Sequence, residues 1–143
     1  MARALTMQAS SPTAQAWAAA QRRDGARLVL AHGYFNPPDA GDVAYLSAAA
    51  AHGQRLLVLV QDDASWTEAR ARSELISALR GVDVVIPHGI GMLGIEQVLT
   101  WLNPHVFVAR PTWPAMDELV RWASPRGIEV VVERAAAGQP EAR

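Results

Sequence analysis

The sequence predicts an α/β protein in which a doubly wound, Rossmann-like parallel sheet carries helices on both faces. Five short apolar segments alternate with longer segments whose apolar residues recur at helical spacing. The first apolar segment is hydrophobic throughout between its ends, which is typical of a central parallel strand buried on both faces. The five predicted strands are residues 27–32, 55–61, 82–87, 105–110 and 128–134.

Local signals support each predicted helix in turn. Ser11 and Pro12 begin a helix that ends before Gly25, and Asp39 is an N-cap for a helix that ends before Gly53. A third helix occupies residues 65–80, a fourth ends at Asn103, and a fifth occupies residues 115–123. The chain is therefore predicted to have a flexible leader at residues 1–10, one domain at 11–134, and a flexible tail at 135–143.

Composition excludes several kinds of chemistry. The 143 residues include no cysteine and no lysine, which excludes a thiol nucleophile, a lysine Schiff base and a P-loop lysine. The formal charge of −1, without a cluster of basic residues, predicts no nucleic-acid partner. No apolar run reaches the length of about 18 residues that a membrane span needs, so we expect a cytoplasmic protein without a membrane partner.

The strand, loop and helix between residues 27 and 52 carry the most specific pattern. The sequence GYFNPPDAGDVAYL at residues 33–46 resembles the GxFDxxHxGHxxxL signature of the cytidylyltransferase-like nucleotidyltransferases. Within that superfamily it is most similar to the nucleotidyltransferase domain of ADP-heptose synthase and to glycerol-3-phosphate cytidylyltransferase. The resemblance extends over about residues 26–132 and implies five strands in the order 3-2-1-4-5, with a ligand cleft between strands 1 and 4.

The resemblance also implies which residues form the site. The two histidines of the signature fall on Asp39 and Asp42, and the lysine that follows the fourth strand falls on Ala109. We predict Asp39, Asp42 and His32 as catalytic residues, with Asp39 and Asp42 as candidate ligands for Mg²⁺. The predicted ligand-binding residues are Gly33, Tyr34, Phe35, Asn36, Asp62, Arg110 and Trp113.

Structural alternatives stand beside these roles. Asp39 is also a good helix cap, Asp42 can form a salt bridge with Arg110, and His32 can be a buried histidine satisfied by the backbone. Arg110 is otherwise the cation that grips a phosphate or carboxylate, and Trp113 can stack on a ring.

Three functions remain open at this point. The first is acid-base chemistry on a small anionic substrate, in a cleft that no longer handles triphosphates. The second is nucleotidyl transfer in which Mg²⁺ compensates for the missing histidines. The third is non-catalytic binding of a nucleotide, a sugar phosphate or a partner protein. The expected partner is a small anionic or phosphorylated molecule or a nucleotide, and the resemblance also suggests a homodimer.

Overall fold

The computed structural model describes residues 3–7, 11–35, 37–61, 66–88 and 94–134, without the side chains of residues 66–70 and of His88. A 3₁₀ turn, Ser124–Arg126, follows the helix that ends at Ala123. In chain order the helices and strands are β1 (Leu5–Thr6), α1 (Pro12–Arg23), β2 (Leu28–Gly33), α2 (Ala40–Ala50), β3 (Arg55–Gln61), α3 (Trp66–Ser77), β4 (Val84–His88), α4 (Ile95–Leu102), β5 (Val106–Ala109), α5 (Met116–Ala123) and β6 (Glu129–Val132).

The strands form one parallel sheet in the order β1-β4-β3-β2-β5-β6. This confirms the predicted α/β class. The predicted strand count of five was wrong, and the predicted order was therefore incomplete, because β1 adds an edge strand beside β4. The other five strands have the predicted neighbours, because their order β4-β3-β2-β5-β6 corresponds to the predicted order 3-2-1-4-5.

The additional strand lies in the segment that the sequence predicted to be a flexible leader. Leu5 pairs with Val84 and Thr6 with Val85, and the backbone N–H of Met7 donates to the carbonyl of Val85. Two residues are too few to show a strand period, so this strand depends on pairing with β4 rather than on local sequence. Residues 1, 2 and 8–10 of the predicted leader, and the whole predicted tail at 135–143, lie outside the described residues.

Each face of the sheet has its own apolar core. On one face α1, α4 and α5 pack over a cluster that includes Leu30, Leu59 and Phe107, all at most 1% exposed. On the other face α2 and α3 pack over a second cluster, which includes Val58, Ile76 and Val108. Burial on both faces accounts for the continuous hydrophobicity of β2. No helix among the described residues is long and apolar enough to cross a membrane.

His105 joins three strands at the amino-terminal edge of the sheet, opposite the end where the strands finish. Its ring Nδ1 accepts a hydrogen bond from the backbone N–H of Leu28 at 2.9 Å, and its carbonyl accepts one from Glu129. Because Nδ1 is an acceptor here, the ring must be neutral for this bond to exist. Burial, followed by the charges of Arg27 and Arg22, lowers the pKa of His105.

The lowered pKa of His105 predicts how stability depends on pH. In the unfolded chain the ring titrates near 6.5, so the folded state binds fewer protons just below that pH. The contribution of His105 is then fully present above about pH 6.5 and is lost as the pH falls towards the folded-state pKa. We expect the free energy of unfolding of the parent to fall between pH 7.5 and pH 5.5, as measured by urea unfolding. The fall should be smaller for His105→Asn, because its amide oxygen can accept the same hydrogen bond and does not titrate. Equal losses in the two proteins would contradict this role.

Candidate ligand-binding cleft

A cleft of about 330 Å³ opens at the carboxyl ends of β2 and β5. The order of the sheet reverses between these two strands, and such switch points are where open α/β sheets bind ligands. The lining residues come from the ends of both strands, the start of α2 and the loop after β5. They are His32, Gly33, Tyr34, Phe35, Pro37, Asp39, Asp42, Tyr45, Ala109, Arg110, Thr112 and Trp113.

The structure brings most of the sequence-predicted site together. Eight of the ten residues predicted for the site line the cleft, whereas Asn36 and Asp62 lie outside the described residues. The strand ends bring the eight together because parallel strands all finish at the same edge of the sheet. Their roles in catalysis or binding stay predictions.

Asp39 and Asp42 form a reciprocal capping box at the start of α2. An oxygen of Asp39 accepts the backbone N–H of Asp42 at 2.8 Å, and Oδ2 of Asp42 accepts the backbone N–H of Asp39 at 3.0 Å. These bonds satisfy N–H groups that the helix itself leaves without acceptors, and both carboxylates lie at the positive end of the helix dipole. The structural alternative that the sequence offered for Asp39 is therefore present in the fold.

Asp42 is also paired with Arg110. Its Oδ1 lies 2.7 Å from Nη2 of Arg110, and the two side chains are 12% and 34% exposed respectively. The guanidinium carbon lies 4.1 Å from the centre of the Tyr45 ring and 5.9 Å from that of Phe35. Nε of Arg110 is buried and has no hydrogen-bond partner among the described residues. The pair thus ties the start of α2 to the end of β5, and aromatic rings support the cation.

Tyr45 lies between the two central strands, and the sequence analysis did not single it out. Its hydroxyl donates to the carbonyl of Val108 at 2.6 Å and accepts the backbone N–H of His32 at 3.1 Å. The direct pairing of β2 with β5 ends at Ala31 and Val108. Burial raises the pKa of Tyr45 to about 12, although the bond from His32 and the charge of Arg110 act in the opposite direction. The hydroxyl therefore keeps its proton at neutral pH and remains a donor to Val108.

His32 lies at the base of the cleft and is 7% exposed. Its Nε2 is 3.1 Å from the side-chain oxygen of Gln61, at the end of the neighbouring strand β3. The rings of Tyr34 and Trp113 contact the imidazole edge-on, with centroid distances of 5.9 and 5.0 Å. Tyr34 is exposed and Trp113 partly buried, so aromatic surface faces the space above His32.

Arg72 of α3 is a second residue that sequence reasoning left out of the site. It is 4% exposed, and its Nη1 donates to the carbonyls of Tyr34 and Gln61, the latter at 2.9 Å. These carbonyls lie at the ends of β2 and β3, so one buried cation holds both strand ends in place. An arginine on the buried face of a predicted helix was the available signal, because buried charges are rare unless they are paired.

Gly33 and Phe35 shape the loop between β2 and α2. Phe35 has a positive φ of 53° and is 3% exposed, so the loop turns its ring inward against Gly33. A Cβ at position 33 would lie only 2.6 Å from Cζ of Phe35. Glycine at position 33 is therefore required by the ring that packs against it.

The structure gives limited support for a metal site. Among the described residues no group of three or more His, Asp or Glu side chains is arranged to hold a metal ion. Asp39 and Asp42, the candidate Mg²⁺ ligands, already accept hydrogen bonds from the helix and from Arg110. Of the four carboxylate oxygens of Asp39 and Asp42, one on Asp39 is left without a hydrogen bond from the described part of the chain. The pair therefore does not fit a Mg²⁺ site built from both carboxylates, which needs oxygens on each that can replace water.

Part of the chain is similar in sequence to known proteins. No protein-family model matches the chain. Over 76 residues it is 40% identical to the bifunctional protein HldE of Coxiella burnetii (strain RSA 493 / Nine Mile phase I), and over 94 residues it is 33% identical to HldE of Shewanella baltica (strain OS155 / ATCC BAA-1091). These matches cover 46% and 59% of this chain but only 16% and 19% of the relatives.

A solved structure extends the similarity to most of the fold. The crystal structure of the lipopolysaccharide core biosynthesis protein from Thermoplasma volcanium GSS1 is 25% identical, with a TM-score of 0.60. The match covers 78% of this chain and 98% of that one. These similarities support the resemblance to the cytidylyltransferase-like superfamily that the sequence predicts. The similarities also support a nucleotidyltransferase-like fold. The placement of Asp39 and Asp42 at the two histidine positions of the signature stays a prediction.

The capping role of Asp39 can be tested by stability measurements. We expect Asp39→Ala to lower the free energy of unfolding by about 1 kcal/mol, because the backbone N–H of Asp42 loses its acceptor. Asp39→Asn keeps an acceptor at the same place and should cost only a few tenths of that amount. Urea unfolding of both variants at neutral pH measures the difference. An equal loss in the two variants would mean that the charge of Asp39, rather than its hydrogen bond, stabilises the helix.

The contact between Gly33 and Phe35 can be tested by a double-mutant cycle. Gly33→Ala should cost about 1–3 kcal/mol, because the new methyl group forces the buried ring to move. With Phe35→Leu in the same chain, the smaller side chain should leave room for that methyl group. We therefore expect the double variant to lose less stability than the sum of the single losses. Strictly additive losses in urea unfolding would show that Gly33 and Phe35 do not constrain each other.

Proposed function

We propose that this protein binds a small ring-bearing molecule, a nucleoside or nucleotide, in the cleft without transferring a nucleotidyl group. The volume of about 330 Å³ lies within the range of small-molecule sites, at the end of the sheet where such sites form. The aromatic surface of Tyr34, His32 and Trp113 suits a planar ring, which can stack or make edge contacts there.

The observation that carries this proposal is that three of the four carboxylate oxygens of Asp39 and Asp42 accept hydrogen bonds from the protein itself. Asp42 accepts hydrogen bonds on both oxygens, from Arg110 and from the backbone of Asp39, while Asp39 accepts the backbone of Asp42. A general base needs a lone pair directed at the substrate proton, and a metal ligand needs an oxygen that can replace water. In this arrangement the carboxylates stabilise the fold around the cleft, which favours binding over catalysis.

Nucleotidyl transfer has less support. Asp39 and Asp42 line the cleft where the superfamily signature has histidines, and two carboxylates repel a triphosphate. At about 5 Å and an effective dielectric constant of about 20, each unit charge pair contributes on the order of 3 kcal/mol of repulsion. Arg110 is already paired with Asp42 and offsets one of the two carboxylates, so the repulsion that remains is that of a net charge of −1 among the described lining residues.

Acid-base chemistry, the first function that the sequence suggested, is the second candidate because of His32. The imidazole lies at the base of the cleft, and its bond with Gln61 fixes the orientation of the ring. A histidine oriented by a neighbouring polar group is suited to proton transfer. This function would use His32 as the acid or base, with Asp42 and Arg110 supporting the walls of the cleft.

Association into a homodimer stays a prediction.

The proposed function predicts binding without turnover. We expect calorimetric titration with adenosine, AMP, ATP, cytidine, CMP and CTP, with and without Mg²⁺, to detect at least one ligand. No pyrophosphate should be released from ATP or CTP when glycerol 3-phosphate or a sugar phosphate is added. Magnesium-dependent triphosphate binding accompanied by pyrophosphate release would overturn the proposal in favour of nucleotidyl transfer.

A matched pair of tryptophan variants links that binding to the cleft. Trp113 lines the cleft, whereas Trp101 lies on the outer face of α4. Trp113→Leu should weaken binding of the detected ligand about tenfold or more, because stacking of a base on an aromatic ring contributes about 1–3 kcal/mol. Trp101→Leu should leave the affinity unchanged. Equal effects of the two substitutions would place the ligand elsewhere on the protein.

A further inference from the structure

The cleft contains two features that ordinarily bind an anion. One is the start of α2, where backbone N–H groups and the helix dipole favour negative charge. The other is Arg110, directly after β5, whose guanidinium can form charge-assisted hydrogen bonds to a carboxylate or phosphate. A phosphorylated ligand in this cleft would need one or both of them.

The carboxylate of Asp42 contacts both features. One oxygen of its carboxylate accepts the N–H of Asp39 at 3.0 Å, and the other accepts Nη2 of Arg110 at 2.7 Å. The carboxylate thus lies between the helix start and the arginine, as the anionic group of a bound ligand would. It is only 12% exposed, so solvent screens its charge weakly.

Helix capping alone does not account for this arrangement. A capping box requires Asp42 to accept the N–H of Asp39, and one oxygen is enough for that bond. The second oxygen pairs with an arginine from the opposite wall of the cleft, supported by the rings of Tyr45 and Phe35. The cation of the cleft is therefore neutralised from within the protein.

The remaining charge of the cleft has the same sign as a phosphate. The described lining residues include three side chains of the Asp, Glu, Lys and Arg types, namely Asp39, Asp42 and Arg110. Their formal charges, two negative and one positive, add up to −1. Asp39 is exposed at the rim and offers an acceptor to a ligand hydroxyl. The remainder of the lining is mostly aromatic or small and apolar.

We infer that Asp42 is a built-in anion that excludes phosphate, so that the cleft selects an uncharged, hydroxyl-bearing ring compound of the nucleoside type over its phosphorylated form. This inference rests on the proposed function and narrows its ligand class. The aromatic rings hold the heterocycle, and Asp39 accepts a sugar hydroxyl. The sequence left open whether Arg110 pairs with Asp42 or anchors an anionic ligand, and in the structure the anion that it contacts is Asp42.

The test compares each nucleoside with its monophosphate by calorimetry. The probes are adenosine with AMP and cytidine with CMP, with inorganic phosphate as a further probe, against the parent chain, Asp42→Asn and Asp39→Asn. The two variants each remove one negative charge from the cleft, but only Asp42→Asn releases Arg110. We expect the parent to bind a nucleoside at least about tenfold more tightly than its monophosphate.

Asp42→Asn should gain about tenfold in affinity for the monophosphate relative to the nucleoside, whereas exposed Asp39→Asn should gain no more than about two- to threefold. Circular dichroism and thermal unfolding establish that each variant is folded. If Asp42→Asn does not fold, the ratio measured on the parent chain still decides the inference.

The outcomes separate the inference from the proposed function. Monophosphates that bind the parent as tightly as nucleosides, or more tightly, overturn the inference and leave the proposed function standing. Equal gains in Asp39→Asn and Asp42→Asn overturn the specific role of Asp42. Absence of binding by every probe, to the parent and to both variants, overturns the proposed function and the inference together.

Discussion

The ion pair between Asp42 and Arg110 is the interaction on which the arrangement of the cleft depends. It connects the start of α2, on one side of the switch point, with the residue that follows β5 on the other. Because one carboxylate serves both the helix cap and the arginine, the position of the helix and that of the strand end are set together. Removing either partner would leave a partly buried charge without compensation, which costs more than the pair contributes.

A second layer of polar contacts lies beneath this pair. Tyr45 bonds to backbone groups of β2 and β5, and Arg72 bonds to backbone carbonyls at the ends of β2 and β3. Gln61 connects that layer to the ring of His32. These groups are at most 7% exposed, so each of their hydrogen bonds replaces one that water would otherwise supply. The rigid base that results is consistent with a cleft that is formed before any ligand arrives.

The sequence predicted this architecture well where the signal was local or repeated. Continuous hydrophobicity identified β2, and Asp39 was recognised as a cap because an acidic residue before a helical period has a specific backbone partner. Strand β1 was missed because its two residues acquire their conformation by pairing with β4. Tyr45 and Arg72 were missed for a related reason, since their partners are backbone groups distant in sequence. For Arg72 the position of a charged residue on the buried face of a predicted helix was the available signal, but it does not identify the partners. For Arg110 the sequence offered two roles, pairing with Asp42 or gripping an anionic ligand. The distance between the two side chains in the structure favours the pairing.

The hydroxyl of Tyr45 affects the separation of the ends of β2 and β5, between which the cleft opens. Parallel strands that continue side by side would close the sheet up to its edge, and no space for a ligand would remain between them. At the end of the pairing of β2 with β5, this one oxygen atom stands between an N–H of the first strand and a carbonyl of the second. The hydroxyl separates the two strand ends, and it forms a hydrogen bond with each of the two backbone groups. The Tyr45 hydroxyl therefore contributes to the opening of the cleft from the core side, beneath the loops that form its rim.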